Sequence, residues 1–142
     1  MLVDDYQTQL KAMLEEVDCR IRLPEKWAGT FFVERGGVQP TAYDERRRHV
    51  RVEVRTRAIL HIQKSMPCIS RRRVTHQIYT RNISRSGVGF LHSEQLYPCE
   101  LCEIWLPDQK AMIEVVHCRY LGECCYAIGA QTVGCEIEQF VT

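Results

Sequence analysis

From Val50 to Ile62 the chain alternates in a strict two-residue rhythm. Val50, Val52, Val54, Thr56, Ala58, Leu60 and Ile62 fall on one side, and Arg51, Glu53, Arg55, Arg57, Ile59 and His61 on the other. Successive side chains of an extended strand point to opposite faces, so the pattern specifies one long strand with a buried face and a largely polar face. Partners for it follow. Val74 to Arg81 alternates again, and further strands are expected at 99–106, 112–120 and 125–133, with Pro107-Asp108 and Leu121-Gly122-Glu123 turning the chain between them. Residues 63–73, with Pro67 and the run Arg71-Arg72-Arg73, read as a loop with its arginines at a solvated hairpin tip. The stretch Asn82-Ile83-Ser84-Arg85-Ser86-Gly87-Val88-Gly89 reads as a break made of turn-forming residues. No helix long enough for a parallel crossover lies between these strands. A mainly β fold is therefore expected, an antiparallel sheet closed into a small barrel.

The first forty residues follow a different rhythm. Tyr6, Leu10, Met13, Leu14 and Val17 recur at helical spacing, and Asp4 and Asp5 suit the positive N-terminal end of a helix over 3–17. Pro24-Glu25-Lys26-Trp27 is placed to open a second short helix. Arg35-Gly36-Gly37-Val38-Gln39-Pro40 is dense in breakers and marks a boundary. The expected organisation is an N-terminal helical extension and linker over 1–40, then a β-barrel domain over 41–142. The apolar stripe of the helix fits its own barrel, a second copy or another protein, so monomer and homodimer both stay open.

Charge narrows the function. Residues 41–94 hold twelve Lys/Arg against four Asp/Glu, while residues 1–40 hold five against seven and residues 95–142 two against seven. A basic middle between acidic flanks suits a local anion site and argues against the extended phosphate track of a nucleic-acid binder. No apolar run approaches the roughly 18 residues of a spanning helix, so membrane insertion is not expected. Eight cysteines without a secretory leader read as reduced thiols in a cytoplasmic protein. Catalysis is not indicated: there is no paired-carboxylate signature, and Ser84 has no identifiable base.

Two short motifs carry chemistry. The first, Glu45-Arg46-Arg47-Arg48-His49-Val50-Arg51, lies directly ahead of the first long strand. Guanidinium groups are planar and permanently charged; they grip phosphate bidentately, reach guanine O6 and N7 together, or stack on a purine. The second, Asn82-Ile83-Ser84-Arg85-Ser86-Gly87, follows a strand and offers short hydrogen-bonding arms plus a glycine that permits a positive φ and close ligand approach. Each alone reads as an ordinary basic linker or a tight turn.

In this order and at this separation, Arg-x-x-x-Arg followed by Asn-x-Ser-x-x-Gly resembles the signature of PilZ domains, and the resemblance runs from about Asp44 to Phe140. Arg119-Tyr120-Leu121-Gly122 and Tyr126-Ala127-Ile128-Gly129-Ala130 look like the late hairpin of that family, with a glycine in its last strand. The resemblance implies a six-stranded antiparallel barrel that binds the bacterial second messenger cyclic di-GMP without any further cofactor. It carries over to Arg47 and Arg51, with Arg46 as an added contact, for phosphate and guanine. It carries over as well to Asn82 for a guanine edge, to Ser84 as a hydroxyl partner and to Gly87 as the turn that lets the ligand approach the backbone. Where the family also allows Asp, Asn82 must accept through its carbonyl oxygen alone. Arg85 and His49 are secondary candidates, with a solvated surface position as the alternative for each. Ligand binding is expected to order the arginine linker against the barrel and to signal to a downstream protein partner. Two other readings compete: a zinc site built on Cys99-x-x-Cys102 with Cys124-Cys125, and an interaction adaptor that works without the nucleotide. Against zinc stand buried, reduced cysteines acting as small hydrophobes.

Overall fold

The computed structural model describes residues 3–25, 38–40, 52–135 and 137. Among these residues a helix, α1 (Val3–Glu16), precedes eight strands: β1 (Val38–Pro40), β2 (Val52–Val54), β3 (Arg57–Lys64), β4 (Thr75–Ser84), β5 (Gly87–His92), β6 (Leu101–Trp105), β7 (Lys110–Gly122) and β8 (Cys125–Thr132). All pairings are antiparallel. Six strands close into a ring in the order β4-β3-β6-β7-β8-β5, with β5 returning to β4, and β1 and β2 extend the sheet from the far end of β4. Closure satisfies the strand edges that an open sheet would leave bare. The core is the inward face of the ring, including Ala58, Leu60, Ile78, Phe90, Ile104, Ile113 and Ile128.

The expected long strand is present as two pieces, β2 and β3, separated at Arg55-Thr56. There Thr80 of β4 reaches across: its backbone N–H donates to the Thr56 carbonyl at 2.8 Å, its hydroxyl oxygen accepts from the Thr56 N–H at 3.0 Å, and the hydroxyl donates to the Val54 carbonyl. The stretch 82–89 departs further from expectation. Only Arg85 and Ser86 form the turn, β4 runs on through Ser84, and Gly87–His92 is a full strand that alternation did not reveal. The strand expected over 99–106 is shorter, because Cys99 takes a positive φ of 77° and β6 starts at Leu101.

The helix packs on its own barrel. Tyr6 and Leu10 are buried against Ile59 and Trp105 on the outer face of β3 and β6, with Met13, Leu14 and Val17 alongside. Tyr6 stacks on Trp105 with ring centroids 5.1 Å apart, and its hydroxyl donates to the Leu106 carbonyl. Gln77 of β4 donates its amide to the carbonyls of Leu14 (3.0 Å) and Val17 (2.9 Å), supplying partners that the last turn of a helix lacks. The chain then crosses the barrel as a strap. Ile21 and Leu23 cover Leu91, Cys125 and Ala127 on the outer face of β5 and β8, and the Arg22 N–H donates to the Cys124 carbonyl at 3.0 Å. The second helix expected from Pro24 runs beyond Glu25 into residues outside those described. No helix among the described residues is long and apolar enough to cross a membrane.

A polar cluster closes the barrel end opposite the 85–86 turn. Arg71, expected at a solvated tip, instead binds the fully buried Glu100 through two nitrogens, at 2.5 and 3.2 Å, and lies 3.7 Å from Glu94. Glu100 also accepts from the Tyr97 N–H at 2.7 Å. Beside them the buried rings of His76 and His92 lie 4.4 Å apart. Burial holds both imidazoles below their ordinary pKa. For His92 the neighbouring His76 and Arg71 add to the effect, and for His76 the carboxylate of Glu94 opposes it. A histidine with a lowered folded-state pKa binds fewer protons folded than unfolded, so its share of stability is intact above about pH 6.5 and is lost as pH falls below that value. The melting temperature should therefore drop between pH 7 and pH 5, and the drop should be smaller in His92→Asn. Equal pH slopes for the two proteins in thermal melts would contradict this account.

Candidate functional site

The second motif sits where β4 changes register. Between Thr80 and Asn82 the pairing with β5 skips a residue, leaving Arg81 as the extra residue of a bulge. The bulge points Ile83 into the core and turns Asn82 and Ser84 to the outer face. Asn82 then heads a lateral row that crosses four further strands. It pairs with Glu53 of β2 on one side and Gly89 of β5 on the other, Gly89 pairs with Gly129 of β8, and Gly129 with His117 of β7. A second row lies beside it: Ser84, Gly87, Gln131 and Glu114.

Gly87 serves the barrel differently from the expectation. It has no positive φ; among the described residues Gly134 is the positive-φ glycine. A Cβ at Gly87 would lie 2.7 Å from the Ala130 carbonyl oxygen, so its bare Cα lets β8 close against β5. Ser84 is half-buried, with its hydroxyl 3.5 Å from the Gly87 carbonyl. Arg85 is an exposed turn residue whose carbonyl accepts from the Ile137 N–H at 2.8 Å. Arg46, Arg47, His49 and Arg51 lie outside the described residues. The strand that follows them is described: Val52 pairs with Ile83, between Asn82 and Ser84. Val52, the first described residue after the arginine motif, thus lies beside the second motif.

Cations missed by motif reading gather around the Asn82 row. Arg81 is desolvated, and burial first, then the neighbouring Arg119 and Arg55, lowers its pKa from the ordinary arginine value. Glu53 sits among them, 3.1 Å from the Arg55 guanidinium. Burial between sheet and strap, together with a hydrogen bond to Cys19, pushes Tyr79 up to about 12. These positions were not legible beforehand because their proximity comes from cross-strand register. A groove of about 530 Å³, lined by Leu10, Lys11, Leu14, Arg55, Arg57 and Pro107, runs between α1 and the β2–β3 junction and does not include Asn82 or Ser84.

The cysteine pattern supplies no metal geometry among the described residues, where no three His, Cys, Asp or Glu converge. Cys99 is exposed, whereas Cys102 points into the core with its thiol pushed up to about 12 by burial, a protonated group and a poor ligand.

A family model described as PilZ domain matches residues 45–140, about two thirds of the chain. No curated protein matches the chain.

The glycine contacts yield a direct test of the barrel seam. Gly87→Ala should cost about 1–3 kcal/mol in denaturant unfolding, because backbone on β8 would have to shift. Gly122→Ala, where an added Cβ meets nothing within 4 Å, should be close to neutral.

Proposed function

The chain belongs to the PilZ domain family, and on that premise we propose that it is a cytoplasmic receptor for cyclic di-GMP, a binding protein without catalytic activity in bacterial second-messenger signalling. The observation that supports this reading is the register of β2 on β4, which pairs Val52, the residue after Arg51 in the chain, with Ile83 between Asn82 and Ser84. A ring dinucleotide with two phosphates and two guanines calls for cations and for short hydrogen-bonding groups, and the two motifs offer one of these each.

In this reading Arg47 and Arg51, with Arg46, grip phosphate and the O6/N7 edge of guanine. Asn82 accepts from the guanine N1–H or N2–H edge through Oδ1, and Ser84 offers a hydroxyl to phosphate or base. Arg85 and His49 remain secondary contacts. Gly87 acts indirectly, by keeping β5 and β8 close under the site. The barrel domain over 41–142 is the receiving unit and residues 1–40 the responding one. Binding orders the arginine linker, and a downstream protein partner reads the altered position of the N-terminal segment. The strap supports that route, since residues 21–23 pack on Leu91 and Ala127, one sheet row from Asn82.

Calorimetric titration with cyclic di-GMP tests the reading. Arg47→Ala, Arg51→Ala and Asn82→Ala should each weaken binding by about 2–5 kcal/mol, and protease cleavage near residues 36–50 should slow at saturating ligand. Wild-type protein that gives neither heat nor a thermal shift would overturn it.

A further inference from the structure

Two glycines lie side by side in the middle of the outer face, Gly89 on β5 and Gly129 on β8. Glycine inside a strand forfeits packing and costs conformational entropy, so a paired set asks for a cause. The cause is that side chains from both flanks occupy the space where their Cβ atoms would be. A Cβ at Gly89 would meet the Asn82 amide at 2.8 Å (Oδ1), 3.1 Å (Cγ) and 3.1 Å (Nδ2). One at Gly129 would meet the His117 ring at 2.2 Å (Nε2), 2.5 Å (Cε1) and 2.9 Å (Cδ2). Three atoms at such similar distances mean that each planar group lies across its glycine with a face toward it. Asn82 leans in from β4 and His117 from β7, so an amide and an imidazole lie over neighbouring glycines. His117 is exposed.

Resting on the receptor reading above, we infer that His117 is the stacking surface for one guanine of the ligand, with Asn82 taking the hydrogen-bonding edge of the same base. An aromatic face recognises a purine face through stacking, and the amide one glycine away recognises the edge that distinguishes guanine. Gly129 is the positioning residue: any side chain there lifts the imidazole off the sheet and out of line with Asn82.

The test uses the full chain. In calorimetric titrations with cyclic di-GMP, His117→Ala should bind on the order of 10- to 100-fold more weakly than wild type, while His117→Phe, which keeps an aromatic face, stays within a few-fold. In wild-type protein, the imidazole proton resonances of His117 should move upfield at saturation under the guanine ring current. Wild-type binding with His117→Ala unchanged, with His117→Phe as weak as His117→Ala, or with unmoved imidazole signals would overturn the inference and leave the receptor reading standing. Absence of wild-type binding would overturn the receptor reading and the inference with it.

Discussion

Up to Thr80, the even-numbered residues of β4 point into the barrel: Ile78 is in the core and Thr80 is buried beneath the β2–β3 junction. After Arg81 the odd-numbered Ile83 points inward instead. One extra residue in an antiparallel pair reverses the faces of everything beyond it, because the side-chain period is two. Without that bulge Asn82 and Ser84 would point into the core, where an unpaired amide or hydroxyl is costly, and Ile83 would face water. The bulge therefore sets the core face of the strand and the outer face of the second motif at once.

β4 is also the strand on which the rest of the molecule converges. It pairs with β3 and β2 along one edge and β5 along the other, and that last pairing closes the ring. Gln77 at its N-terminal half holds the end of α1, and Asn82 at its C-terminal half heads the glycine row. The end of the helix and the candidate site are thus attached to one strand. The opposite barrel end, with Arg71 on the buried Glu100 and the paired imidazoles, is held by ion pairing and burial.

Several features legible in sequence survived in detail, and the failures share one origin. Alternation located β3, β4, β6, β7 and β8, and helical spacing located α1, because both periods are local properties of the chain. β5 was hidden because Gly87 and Gly89 look like turn residues; they are glycines on account of Ala130 and Asn82, which approach them across the sheet. Arg71 looked like part of a solvated arginine run because its partner, Glu100, lies 29 residues away.

The sequence by itself determined the family, the closed antiparallel class and the residues of the two motifs, since residue type and spacing carry strand periodicity and donor chemistry. Only the tertiary structure decided that α1 packs on its own barrel, that Gly87 serves a strand seam instead of a strained turn, and that His117 shares a row with Asn82. The physical reason is register. Which residues become neighbours across five strands depends on bulges and hydrogen-bond pairing along the whole ring, and no short window of sequence contains that information.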